Sequence, residues 1–409
     1  MNILLDSRYL FGSLICISIF LLDIGVSFSG YKFTLAFFVF VFILFFSRLD
    51  SIILVLVAMF FLACLFSSLS AGMEFIDLTK ITLVSIFMAS IAAIGSIELN
   101  KQQKEDFINI YKNIFLLISS LAIIEFIFAN IFGIFLTPSR ELVTYGSFVR
   151  PFVLFKEPSI LNIYLVFSFI IFDLLQKSNQ QRYKFSFHKI LVILIIILTV
   201  SFTGIVMLLG YVGVSYIKNY LLKEISFNNI YRLVSGIFGF FLVGFFIYLL
   251  LPDIFDKLFS RASDITLALT AINEVSLNSS VGYRITTLLS IRDYISEASL
   301  HQLLVGEGFI NFNTWIYQTY AYRGGEMIEG GDVTNLYTVI FLSTGIIGSI
   351  IFAAFILSII SHVKKGYKMY LLVFIGLFMM VFGNITSPHL FIFIFTYTVI
   401  FKKYNQVRI

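Results

Sequence analysis

Residues 51–67 read SIILVLVAMFFLACLFS. No side chain in this run is charged. At ~1.5 Å per residue a helix of that length crosses most of a hydrocarbon core about 30 Å thick. Similar apolar runs recur along nearly the whole chain. The composition agrees: 59% of residues are apolar and 12% charged, against roughly 45–50% and about 25% in soluble domains. Mean hydropathy is +0.98. The fold class expected is therefore all-α, a polytopic bundle of membrane helices. A closed barrel would need short segments of alternating polarity, and none is visible.

Working outward from residues 51–67, about twelve spans are expected. They are 9–27, 33–47, 51–67, 81–97, 107–136, 158–176, 188–201, 203–219, 233–251, 332–360, 369–384 and 388–402. The first run lacks a small-residue cleavage site and more spans follow it, so it reads as a membrane helix, not a signal peptide. Cys16 and Cys64 fall inside apolar runs and read as small core hydrophobes. The net charge of +5 is modest and speaks to orientation, not to nucleic acid.

Lysine and arginine collect in one set of short connections. These carry Arg48; Lys101 and Lys104; Lys177, Arg182 and Lys184; Lys218, Lys223 and Arg232; Lys364, Lys365 and Lys368. The tail adds Lys402, Lys403 and Arg408. With twelve spans all of these lie on one side, which the positive-inside rule makes the cytoplasm, with both termini there. The chain then divides into a first bundle part, 1–251, a long external loop, 252–331, and a last bundle part, 332–409. "YRITTLLSIRDYISEASLHQLL" (283–304) has apolar residues near helical spacing, so the loop is expected to form a helical cap.

Soluble catalytic motifs are absent: no GK[ST] phosphate loop, no HExxH, no metal spacing of Cys and His. No metal or cofactor is expected. Glu125 is the only acidic residue well inside a long span, whereas a proton-coupled carrier usually buries more charge along its path. The polar residues gather in the outer connections instead. "RPFVLFKEPS" (150–159) sets Arg150 just before, and Lys156 and Glu157 between, Pro151 and Pro158, two of the chain's five prolines. Glu157 and Pro158 suit a helix start. Arg150 either snorkels to the interface or faces a polar cavity and grips an anion.

On the long loop, Arg284 and Arg292 stand eight residues apart, within about 80° of each other on a helix. Asp293, Glu297 and His301 follow at i+4 steps; Asp293 and Glu297 read as a solvated face with local ion pairs, and His301 as a surface residue or a proton shuttle. "VGEGFINFNTWIYQTYAYRGGE" (305–326) crowds aromatics around Trp315, suited to a membrane interface or to stacking on sugars. Gly306 and Gly308 mark a turn where backbone passes close to something. Asn335 sits where the tenth span begins and is a good helix cap.

Three segments carry a resemblance. "SFVRPFVLFKEPSILNIYLVF" (147–167) resembles the stretch of bacterial O-antigen polymerases (Wzy-type), and of related lipid-linked glycan ligases, in which an Arg is followed by Glu-Pro-Ser entering a helix. "GYRITTLLSIRDYISEASLHQLLVGEGFINFNTW" (282–315) is similar to their large outer loop. "TNLYTVIFLSTGIIGSIIF" (334–352) is similar to the helix after it, with its Gly-Ile-x-Gly step. The ligases tend to have His-Asn where this chain has Thr334-Asn335, a departure that favours polymerase.

The resemblance implies an enzyme of the bacterial inner membrane working at its periplasmic face. It would join oligosaccharide repeat units carried on undecaprenyl diphosphate, without metal or nucleotide. Arg150, Arg284 and Glu157 would be catalytic. Arg292, Trp315, Asn335, His301 and Tyr283 would contact substrate. Membrane lipids and a chain-length regulator protein would be its partners, and nucleic acid would not. The alternatives are a ligase that passes finished chains to another acceptor and a flippase that makes no bond. Two related halves, expected of many transporters, are not visible.

Overall fold

The computed structural model describes residues 25–28, 31–46, 49–96, 99, 101–134, 144–145, 148–151, 153, 155, 158–178, 186–199, 201–217, 263, 291–292, 294–308, 335–383 and 387–402. Almost all of these are helical. The helices are α1 (Leu35–Phe46), α2 (Ser51–Ser70), α3 (Phe75–Ile91), α4 (Lys101–Ile131), α5 (Pro158–Ser178), α6 (Ser186–Thr199), α7 (Phe202–Tyr216), α8 (Leu300–Val305), α9 (Leu336–Ser361), α10 (Lys365–Val381) and α11 (His389–Phe401). A 3-10 turn, Ala92–Ser96, continues α3. Among the described residues, five helices are long and apolar enough to cross a membrane: α2, Phe75–Ile94, α4, α5 and α9. The expected spans that fall on described residues coincide with helices, except that residues 25–27 of the first and 33–34 of the second are strand. The span at 233–251, nearly all of that at 9–27 and most of the loop at 252–331 lie outside the described residues.

The structure departs from the sequence reading in three places. Two short antiparallel pairs interrupt the helical pattern: β1 (Gly25–Phe28) with β2 (Tyr31–Thr34), and β3 (Thr144–Tyr145) with β4 (Phe148–Val149). Both lie in connections rich in Val, Thr, Phe and Tyr, residues that favour extended backbone. The i+4 series Asp293, Glu297, His301 is broken. The helical stretch ends at Glu297, and Ser299 starts α8 through a capping box with Gln302. Finally, α9 is not one continuous helix: Gly345 sits at φ 61°, ψ −163° and divides it.

The chain forms two compact units. One comprises Met1–Ile114 with Gly282–Ile409, the other Phe115–Val281. In the first, α2 packs against α3 and α9, α8 against α9, and α10 against α9 and α11. One stripe of α2 is buried at Ile53, Val57, Phe60 and Cys64. The opposite stripe, Ile52, Val55, Met59, Leu62, Phe66 and Leu69, is exposed and equally apolar. A helix apolar on both faces suits a lipid surround and not water. The start of α2 is fixed by Asp50, whose carboxylate accepts from Ile52 N and Ile53 N at 2.9 and 3.2 Å. Lys402 Nζ donates to the Ile94 carbonyl at 2.8 Å, and Val363 pairs with Lys402, so the ends of α9 and α11 are tied to the 3-10 turn.

In the second unit, α5 packs against α6 and α7. Nearly every side chain of α5 from Ile160 to Leu175 is buried. Its far end is held by Asp173, which takes Lys189 Nζ at 3.1 Å and the Tyr211 hydroxyl at 2.7 Å. Phe115, Phe172 and His188 form an aromatic cluster, with ring centroids 5.0 and 5.2 Å apart along it.

His362, just past the end of α9, is a pH-sensitive group with a clear sign. Burial holds the His362 imidazole below its ordinary range, and Lys402 and Lys368 add to this. The Asp50 carboxylate, 3.5 Å away, opposes the shift without reversing it. The folded state therefore prefers the neutral ring. Its contribution is present above pH about 6.5 and is lost as pH falls through the lowered folded value. Between pH 7.5 and 5.5 the melting temperature in detergent is expected to fall more for the native chain than for His362→Gln. Equal slopes would count against it.

Candidate functional site

The connection from α4 to α5 carries Arg150, and four polar side chains from three helices build its surroundings. Asn130, near the end of α4, clamps the strand residue before Arg150. Its Nδ2 donates to the Val149 carbonyl at 2.8 Å, and its Oδ1 accepts from Val149 N at 2.7 Å. A side-chain amide thus stands in for a neighbouring strand. One turn earlier on α4, the buried carboxylate of Glu125 accepts from Val153 N at 2.6 Å. Val153 has φ +54°. That conformation is a real outlier for a β-branched residue and costs on the order of 1–3 kcal/mol. The charge-assisted bond to Glu125 offsets it in part.

Arg150 is buried. Only 8% of it meets solvent, and its Nε donates to the Thr199 carbonyl at 2.6 Å. Thr199 is the last residue of α6, where carbonyls lack intrahelical partners and the helix dipole is negative. A guanidinium is well placed there. The Thr199 side chain is tied in turn to α5. Asn162 Nδ2 lies 2.7 Å from Thr199 Oγ1, and Thr199 Oγ1 lies 3.0 Å from Asn162 Oδ1. Asn162 Nδ2 also donates to the Pro158 carbonyl at 2.7 Å. The first turn of α5, the last turn of α6 and Arg150 therefore form one hydrogen-bonded group. Gly204 of α7 packs on it so closely that a Cβ there would come within 2.8 Å of Asn162 Oδ1.

The other candidate residues divide as follows. Arg292 and His301 are described and exposed, on separate helical turns. Asn335 is fully buried and caps α9, its Oδ1 accepting from Thr338 N at 2.8 Å. Glu157, Tyr283, Arg284 and Trp315 lie outside the described residues. Pro158 begins α5, as its sequence position suggests. Thr199, which bonds to Arg150, and Glu125, Asn130 and Asn162, which fix the groups around it, carry no site role in the sequence reading. All were visible as polar side chains in or bordering apolar spans, which in a membrane are costly unless used.

What this arrangement can do chemically is limited and specific. It holds a permanent cation in an apolar bundle with its Nε edge fixed. Arginine cannot lose its proton and presents five N–H donors in a plane. Comparison of the sequence with protein-family models and with curated proteins finds no match to either.

Replacing Glu125 separates its two properties. Glu125→Gln keeps an oxygen acceptor for Val153 N, whereas Glu125→Ala leaves that N–H without it. The Ala variant is expected to lose about 1–3 kcal/mol of stability and the Gln variant clearly less. Thermal unfolding in detergent measures both, and equal losses would contradict the assigned bond.

Proposed function

We propose that the protein is a glycosyltransferase that polymerises oligosaccharide repeat units carried on undecaprenyl diphosphate. In this reading it spans the bacterial inner membrane about twelve times with both termini in the cytoplasm. The reaction takes place at the periplasmic face and extends an O-antigen of lipopolysaccharide. The observation that carries the reading is Arg150, buried and aimed by the Thr199 carbonyl, in the segment whose sequence resembles the Arg…Glu-Pro-Ser stretch of O-antigen polymerases. Helices on the expected spans support it further.

In the proposed reaction a sugar hydroxyl of one lipid-linked unit attacks the anomeric carbon of the growing chain. The bond from that carbon to the diphosphate oxygen breaks, and undecaprenyl diphosphate leaves with the electron pair. The hydroxyl proton passes to Glu157 or to the departing phosphate. Diphosphate is a good leaving group, so catalysis rests on positioning and on stabilising negative charge. Arg150 and Arg284, with Arg292, hold the diphosphate through charge-assisted bonds. Trp315, Tyr283, His301 and Asn335 are assigned to the sugar chain. The implied partners are membrane lipids and a protein that regulates chain length.

One feature favours a second reading, a lipid-linked glycan flippase. The helix α9 is interrupted, and interrupted membrane helices often line transporter sites. Against this, the carbonyls of Leu342 and Ser343 at the interruption accept from Glu307 N and the Ser67 hydroxyl of the chain itself.

Purified protein in detergent, given lipid-linked repeat units and nothing else, is expected to make a ladder of polymer. Arg150→Ala and Arg284→Ala should each cut polymer at least a hundredfold while membrane content stays normal. Arg150→Lys keeps the charge but not the Nε–Thr199 geometry, and is expected to fall at least tenfold. No polymer from the native chain would remove the reading in favour of transport. Polymer made normally by both Ala variants would remove the assigned residues.

A further inference from the structure

After α8 the chain turns through Gly306-Glu307-Gly308, and there its backbone lies directly against the backbone of α9. A Cβ on Gly306 would sit 2.6 Å from Ser343 C, Thr344 N and Gly345 N. A Cβ on Gly345 would sit 2.5 Å from the Leu304 carbonyl. Gly306, Gly308 and Gly345 all have positive φ, at 89°, 77° and 61°. The turn and the interruption of α9 therefore fit one another, and neither tolerates a side chain at the contact.

Hydrogen bonds lock the fit. Glu307 N donates to the Leu342 carbonyl at 2.7 Å. Ser67 of α2, fully buried, works in both directions: its hydroxyl donates to the Ser343 carbonyl at 2.6 Å and accepts from Gly308 N at 2.9 Å. Three segments distant in sequence meet at that one oxygen. Above the turn, Tyr294 is buried and its hydroxyl lies 3.1 Å from the Gln302 carbonyl and 3.3 Å from Glu307 Oε1. Its ring meets Phe341 of α9 edge-on at 6.1 Å. Residues 294–308 are thereby fixed to α9 as one piece, with Arg292 two residues before Tyr294 and His301 within α8.

We infer that this turn is a latch that positions the substrate-binding part of the long connection, with Ser67, Gly306 and Gly345 as positioning residues, an inference that rests on the polymerase reading. In a membrane the exposed carbonyls of a broken helix must find donors. Docking the turn supplies Glu307 N to the Leu342 carbonyl, and Ser67 of α2 serves the Ser343 carbonyl while also holding Gly308 N of the turn. The broken form of α9 and the docked form of the connection are two aspects of one state. Alanine at 345 favours a regular helix and expels the turn. Alanine at 67 removes the shared oxygen and leaves the helix unchanged.

Hydrogen exchange in lipid nanodiscs tests the latch without reference to activity. In Ser67→Ala and in Gly345→Ala, the amides of residues 306–308 are expected to exchange at least tenfold faster, while peptides from α5 exchange as in the native chain. Ser67→Thr keeps the hydroxyl and is expected to restore slow exchange. In the polymer assay, both Ala variants should lose turnover at least tenfold and Ser67→Thr should regain it. Unchanged exchange at 306–308 in both Ala variants overturns the latch. Faster exchange with normal turnover overturns the positioning role. If the native chain makes no polymer, the glycosyltransferase reading falls, and the exchange result alone decides whether the latch exists.

Discussion

A buried carbonyl that leaves its helix has no water to turn to, and this constraint organises two of the irregular parts of the described structure. The first is the connection entering α5. There the free carbonyl at the end of α6 is taken by Arg150, and the backbone N–H groups of Val149 and Val153 are taken by Asn130 and Glu125. The second is the break in α9, where Glu307 N and the Ser67 hydroxyl take the carbonyls of Leu342 and Ser343. Leaving one such buried group unsatisfied costs about 1–3 kcal/mol. Irregular backbone persists at these two points because other segments of the chain supply the missing partners.

The same constraint explains where the sequence was informative. Helix existence follows from long apolar runs, since only closed hydrogen bonding is tolerated in lipid. The runs at 51–67 and 158–176 became α2 and α5 with boundaries within a few residues. Pro158 marked the start of α5, and Asn335 marked the cap of α9. Gly306 and Gly308 are legible as a place of close approach, and Gly345 and Gly348 as a Gly-Ile-x-Gly step, but nothing in the sequence marks the two as partners. That pairing joins residues far apart in the chain and depends on φ values no local rule supplies. The i+4 series through His301 failed for a local reason: Ser299 with Gln302 makes a better helix start than a helix interior.

Arg150 shows the other limit. Its residue type and apolar neighbours mark it as unusual, yet the choice between snorkelling and burial turns on Thr199, a residue at the end of a helix two spans away. Glu125 was read only as a sign of how little charge the spans contain. In the structure it is a hydrogen-bond acceptor for a strained turn. In both cases the function of a polar group in an apolar segment is set by what backbone it faces, and facing is a property of the fold.

Helices in lipid gain little from burying apolar surface against one another, because the surrounding tails are equally apolar. The exposed stripe of α2 is as hydrophobic as its buried stripe, so hydrophobicity alone does not decide which face meets α9. What distinguishes the faces is Ser67 on the buried side, with the Ser343 carbonyl and Gly308 N opposite it. Small residues let backbones approach, and approach lets one hydroxyl serve two segments. Specificity of packing in this unit thus depends on a serine and a few glycines more than on its many phenylalanines. The bulky side chains fill the space that these contacts define.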